Sequence, residues 1–173
     1  MLSTPDRAVV VGTRAPVMIA GDPRIATLTE SQITALSATQ STALTTAQAY
    51  WMSTAQVQAL TTAQFAALRT GQVAALGTSQ VVAIQTDDLV ALDTAQLRAL
   101  TSDQVVSLMT DQVSALTTQQ AGGLVTATAY ALSTAQVRAI DSDDIGAISV
   151  GALAGLTTEQ LRALSGGQLE SLH

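Results

Sequence analysis

The 173-residue chain contains no cysteine, lysine or asparagine, and its single histidine is the last residue, His173. Without cysteine there is no disulfide framework, thiol nucleophile or thiolate-bound metal. Without lysine, cysteine or an internal histidine, the many Ser and Thr hydroxyls have no evident base to activate them, so nucleophilic catalysis is not expected. No phosphate-cradling glycine loop occurs either, because Gly166 and Gly167 before Gln168 form too short a pattern. The chain is therefore read as a non-enzyme without a cofactor.

Aromatic residues and positive charge are also scarce. One Phe, one Trp and two Tyr make up the aromatics, and seven Arg supply all the side-chain cations against thirteen acids, for a net charge of -6. Nothing resembles the basic patch that neutralises a phosphate backbone, so nucleic acid is not an expected partner. No apolar run approaches the roughly 18 residues of a membrane span. The apolar stretch near the start is split by Gly12, Thr13, Arg14 and Pro16, which argues against a cleaved signal peptide.

What the chain has is a period. Fourteen glutamines, at positions 32, 40, 48, 56, 64, 72, 80, 96, 104, 112, 120, 136, 160 and 168, are all separated by eight or a multiple of eight. The underlying octad is Thr-Thr-Ala-Gln-Val-x-Ala-Leu, as in Thr61 to Leu68. Its last position is aliphatic in every copy from Leu36 to Leu172. Residues 29–172 thus form eighteen octads without insertion or deletion, so each octad is one structural step and the steps must stack.

One continuous helix cannot use this period. Eight residues advance about 800°, so the Leu stripe would rotate by roughly 80° per repeat and never hold a persistent face. Two solenoids remain. The recurring Ser/Thr-x-x-Gln, for example Ser53 to Gln56 and Thr101 to Gln104, is the capping box that satisfies free amides where a helix starts. Acids gather just after the cap at Asp87, Asp103, Asp111, Asp143 and Glu159, where the helix dipole favours them. A β-solenoid needs tight corners in every coil, yet most octads lack Gly and all lack Asn. The fold class expected is an all-α solenoid with one helix of five or six residues per octad, with a β-solenoid as the alternative. Such helices are far too short to be stable alone, so stability must be collective. Two octads per layer at about 9 Å per layer would give a rod on the order of 80 Å long.

Residues 1–28 stand apart. They carry Pro5, Pro16, Pro23 and the β-branched run Val9, Val10 and Val11, and are expected to form a strand or small hairpin that caps the array or serves in assembly. At the other end the last octad stops one residue before the end of the chain, with no polar capping segment. A head-to-tail contact between those ends need not close and would generate a filament. Its expected interface comprises Val9, Val10, Val11, Val17, Ile19, Leu164, Leu169 and Leu172.

Three irregularities invite other readings. The octads over 121–155 depart from consensus with Gly122, Gly123, Thr128, Asp144 and Ala152, which suggests a bend or looser segment, or else a binding site. Asp141, Ser142, Asp143 and Asp144 look at first like calcium ligands, but lack the spacing and final Glu of an EF-hand loop, so they read as helix-start acids. Tyr50, Trp51 and Tyr130 replace small residues and are expected to serve local packing, the rival being a contact with carbohydrate or a partner.

The iterated text, such as Ser53 to Leu60 followed by Thr61 to Leu68, resembles the octad tracts of large bacterial secreted or surface repeat proteins often labelled heme utilization or adhesion proteins. The resemblance implies an extracellular or cell-surface location and a structural or adhesive role. It brings no heme site with it, since His173 is terminal and Met52 sits at the Leu position of the array. The leading expectation is a self-assembling filament subunit whose partner is itself. The alternative is a monomeric scaffold that binds another protein along one face.

Overall fold

The computed structural model describes residues 23–172. Within them the octads are helices, and no strand occurs among the described residues. After a 3-10 turn at Pro23–Thr27, each octad contributes one helix of four to six residues, numbered α1 to α18 in chain order. The β-prone character expected of the N-terminal segment, and Val9, Val10, Val11, Val17 and Ile19 with it, lie outside the described residues.

The helices fall into three columns. The first stacks α1 (Glu30–Thr34), α4 (Thr54–Gln58), α7 (Thr78–Val82), α10 (Ser102–Ser107), α13 (Thr126–Ala131) and α16 (Val150–Leu153). The second stacks α2 (Ala38–Thr42), α5 (Thr62–Ala66), α8 (Thr86–Val90), α11 (Thr110–Ser114), α14 (Thr134–Ala139) and α17 (Thr158–Ala163). The third stacks α3 (Thr46–Trp51), α6 (Thr70–Ala75), α9 (Thr94–Arg98), α12 (Thr118–Gly122), α15 (Ser142–Ala147) and α18 (Gly166–Glu170). Each helix packs on the one three octads later, so a turn of the solenoid holds three octads, not the two expected from sequence. Eighteen helices then make six turns, and at the usual spacing of packed helices the array is about 55 Å long. The 3-10 turn packs on α3, where a helix of the preceding octad would sit.

Local chemistry explains the corners. The residue before each helix is extended, with ψ of 161° at Ser53 and Thr101, and at these two, as at most Ser and Thr caps, the side-chain oxygen accepts from the backbone N–H of the Gln three residues later. At the other end the Leu position is also extended in the six-residue helices, as at Leu76 (ψ 139°) and Leu132 (ψ 140°). Two extended residues between helices turn the chain without glycine.

The Val and Leu positions build the core. From Ile33 through Ile145, every residue at the Val position is buried, and Leu44, Leu60, Leu68 and their equivalents line the same interior. No side chain in the core is larger than Phe65, so the layers stay thin. Burying about 1.5–3 kcal/mol of apolar side chain at each such position lets helices exist that would not form alone.

The region over 121–155 is continuous rather than loose. Its helices keep the octad register, and its glycines mark close approaches between turns. A Cβ on Gly122 would lie 3.1 Å from the Ala147 carbonyl oxygen, and one on Gly155 would lie 2.5 Å from the Thr126 methyl.

Candidate functional site: a glutamine ladder along the solenoid

The repeated Gln is almost wholly buried, from Gln48 to Gln168, in a protein whose charged residues stay mostly outside. Burying an amide without partners is costly, so its hydrogen bonds decide what it does. Its Oε1 accepts from the backbone N–H of the cap residue of its own helix, at 2.9 Å for Ser53, 2.7 Å for Thr101 and 2.9 Å for Ser165. This half of the bonding was legible in the sequence as the capping box.

The other half was not. The Nε2 group donates across the turn to two carbonyls of an earlier octad, 31 and 28 residues back, at the Val and Leu positions. Gln104 reaches Val73 at 3.0 Å and Leu76 at 2.6 Å, and Gln112 reaches Val81 at 2.9 Å and Ile84 at 2.8 Å. The same pair of bonds is made by Gln56, Gln64, Gln72, Gln80, Gln96, Gln120, Gln136, Gln160 and Gln168. The carbonyls lie at the C-terminal end of a short helix, where the helix has run out of its own donors; the one at the Val position also accepts from the backbone N–H of the Leu-position residue, as Val73 does from Leu76 at 3.2 Å. One side chain therefore closes the start of one helix and the end of another.

This geometry gives a physical meaning to the order of residues in the repeat. Read from Ala59, the text is Ala-Leu-Thr-Thr-Ala-Gln: the end of one helix, the corner, and the start of the next with its ladder residue Gln64. The model of the ALTTAQ repeat matches residues 51–78, 81–118 and 137–173, together more than half of the chain. The chain belongs to the ALTTAQ repeat family. Comparisons with curated proteins and with solved structures give no match.

The ALTTAQ ladder is interrupted at four places, Asp88, Thr128, Asp144 and Ala152, which take the Gln position in α8, α13, α15 and α16. Asp88 is buried, and its Oδ1 accepts from the Thr62 hydroxyl at 2.8 Å. Burial raises its pKa above the ordinary 3.8, the Thr62 hydrogen bond opposes that rise, and neighbouring Asp87 adds to it. A carboxylate cannot donate to the Val57 and Leu60 carbonyls that a glutamine would reach there. Asp144 is likewise buried, beside the exposed Asp141 and Asp143, and Asp141 makes no side-chain cap bond. Among the described residues no group of three or more His, Asp or Glu is arranged to hold a metal ion.

A second set of bonds straps the turns together on the outside. Thr34 and Thr42 hydroxyls donate to the Ala59 and Ala67 carbonyls, both at 2.8 Å. The Arg98 and Arg138 Nε groups do the same to Gly123 at 2.6 Å and Ala163 at 3.1 Å. All four donors occupy the x position of the octad, and the acceptor lies 25 residues later. No sequence signal marked these residues, because x varies freely in the repeat.

The Tyr and Trp side chains lie on the surface, whereas Phe65 is in the core. Tyr50 and Trp51 are 56% and 53% exposed, with their rings edge to face at 5.4 Å, and Tyr130 is 65% exposed. The expected role in local packing thus reduces to a contact of Tyr50 with Trp51. Of the expected assembly residues, Leu164 is buried, Leu172 packs partly against the core and Leu169 is 49% exposed. No helix among the described residues is long and apolar enough to cross a membrane.

Proposed function

We propose that this chain is a non-enzymatic structural protein that assembles head to tail into a filament, with itself as partner. The observation that carries the reading is the complementarity of successive turns, in which Gln Nε2 donors of one turn meet the Val- and Leu-position carbonyls of an earlier one, as Gln104 meets Val73 and Leu76. Leu161 and Leu169 occupy the Val position, which is buried throughout α1 to α15, yet they are 45% and 49% exposed. Within the array the Val position is covered by a later turn, which in most octads carries a Gln donor. Because the two faces of any turn differ and complement each other, contact between copies is heterologous and propagates. Residues 1–28 form the capping or assembly segment in this proposal, with Val9, Val10, Val11, Val17 and Ile19 on its side of the contact and Leu164, Leu169 and Leu172 on the other. The resemblance to bacterial secreted and surface repeat tracts supports an extracellular or cell-surface location.

Negative-stain electron microscopy over a concentration series tests the proposal. Fibres with a regular axial repeat are expected from the unmodified protein, and short particles from a variant with Leu161→Asp and Leu169→Asp. Isolated short rods at every concentration would sink the idea.

A second reading, a monomeric scaffold that binds another protein along one face, is favoured by one feature. Val82, Val106 and Tyr130 take the x position in α7, α10 and α13, so the fold aligns them as an exposed apolar column on consecutive turns. Rods that stay single but retain a partner through Tyr130 would favour this reading.

A further inference from the structure

The ties of the glutamine ladder are not spread evenly along the solenoid. Four of them span the junction between α3 and α4, those of Gln56, Gln64, Gln72 and Gln80. Three span each of the junctions between α6 and α7 and between α9 and α10, and two span the one between α15 and α16. Between α12 and α13 only Gln136 reaches across, to Val105 and Leu108 at 2.8 Å each. The cause is the placing of the breaks. Thr128, Asp144 and Ala152 hold three of the four positions from which a glutamine would span this junction.

Nothing else replaces the missing ties. The outer straps stop on either side, since Arg98 donates to Gly123 and Thr126 to Gly151 at 3.0 Å, and neither pair crosses. Among residues 29–172, Gln136 makes every hydrogen bond between the part before Val125 and the part from Val125 on. Val125 itself, the residue before α13, makes no side-chain cap bond. Apolar burial is thinner here as well, because Ala121 and Ala129 hold the Val position in α12 and α13, where α4 to α11 carry Val, Phe or Leu. The helices keep their register and approach closely through Gly122, but close approach adds no polar tie.

We infer that the solenoid is built as two cooperative units that part at this junction: α13 to α18, residues 125–172, open together while α1 to α12 stay folded. In a stacked repeat each turn is held by its neighbours, so opening begins where the coupling between neighbours is smallest. The far unit opens as a whole because Gln160 and Gln168 tie its sixth turn to its fifth, so two ties lie inside the unit and one holds it to the rest. In a structural rod this is a built-in yield point, at which a pull along the axis releases the last two turns before any earlier one. The inference stands whether or not copies assemble.

Native-state hydrogen exchange of the full chain at low protein concentration, read by mass spectrometry of peptides, tests it. Amides of α13 to α18 are expected to exchange at one common rate, about tenfold or more faster than those of α5 to α11, with a single step at α12. Fraying from the end of the array gives a graded rise toward α18 instead, and such a gradient, or one uniform rate throughout, would overturn the inference. Asp144→Gln adds a second tie across the junction, to the Val113 and Leu116 carbonyls, and should slow exchange of α13 to α18 about tenfold while leaving α5 to α11 unchanged. Gln136→Leu removes the only tie and should speed the same set by a similar factor. If Gln136→Leu unfolds the whole chain, Asp144→Gln decides alone, and no response of α13 to α18 to that change would overturn the inference.

Discussion

The side-chain amide of Gln104 donates to the main-chain carbonyl of Leu76, 2.6 Å away in space and 28 residues earlier in the chain. The bond joins two turns of the solenoid through a buried polar group, and it repeats with the octad. It makes the glutamine a tie between layers, whereas the sequence motif describes it only as a helix cap.

Removing one such tie should be costly. Gln104→Leu keeps an apolar body of similar size but deletes the cap acceptor and removes the side-chain donor to the Val73 and Leu76 carbonyls, of which Val73 keeps only its bond from the Leu76 N–H. A loss of about 2–4 kcal/mol is expected in chemical denaturation. Gln32→Leu, at a half-buried glutamine on the leading turn, should cost about 1 kcal/mol or less. Equal losses for the two would show that capping, and not the tie across turns, is what matters.

Filling a break in the ladder should have the opposite effect. Asp88→Gln supplies donors for the Val57 and Leu60 carbonyls and is expected to stabilise the protein by about 1–2 kcal/mol at neutral pH. The pH dependence has a definite sign. Because the folded-state pKa of Asp88 lies above the ordinary 3.8, the folded protein holds this proton more tightly than the unfolded chain. Stability of the unmodified protein therefore falls as pH rises from 3.8 through the raised value, and levels off above it. The advantage of Asp88→Gln should be smallest below pH 3.8 and reach a plateau above that window. Melting curves across this range check it, and an advantage that shrinks with rising pH would contradict the assignment.

Two glycines of one helical neighbourhood should respond in opposite directions. At Gly155 a new Cβ would meet the Thr126 methyl at 2.5 Å and the Thr126 carbonyl oxygen at 3.0 Å, so Gly155→Ala is expected to destabilise by about 1–3 kcal/mol. At Gly151, inside α16, a Cβ meets nothing within 4 Å. There Gly151→Ala should stabilise by about 0.5–1 kcal/mol through helix propensity alone. Thermal melts of the two variants are sufficient to compare them.

The exposed pair Tyr50 and Trp51 should matter little to the fold. Their rings touch each other outside the core, so the double change to Ala is expected to shift stability by less than about 1.5 kcal/mol, which an edge-to-face pair can account for. A larger loss in denaturation would mean that the pair covers core surface. Loss of a binding partner with assembly intact would move weight to the scaffold reading.

Much of this protein is determined by the sequence alone. The octad, the capping box and the unbroken aliphatic position from Leu36 to Leu172 exclude a continuous helix and require stacked short helices, because each constraint is local or strictly periodic. The number of octads per turn is not of that kind. It follows from the angle between successive helices, which the extended residues at the corners and the fit of small side chains such as Ala49 and Val57 set together. No single octad encodes that angle. Only the closed three-octad turn brings Gln104 beside Leu76, leaves Gln48 buried with an unanswered donor, and aligns Val82, Val106 and Tyr130 on one face. These relations join residues 24 to 31 positions apart, and such distances become contacts only when packing has chosen the turn.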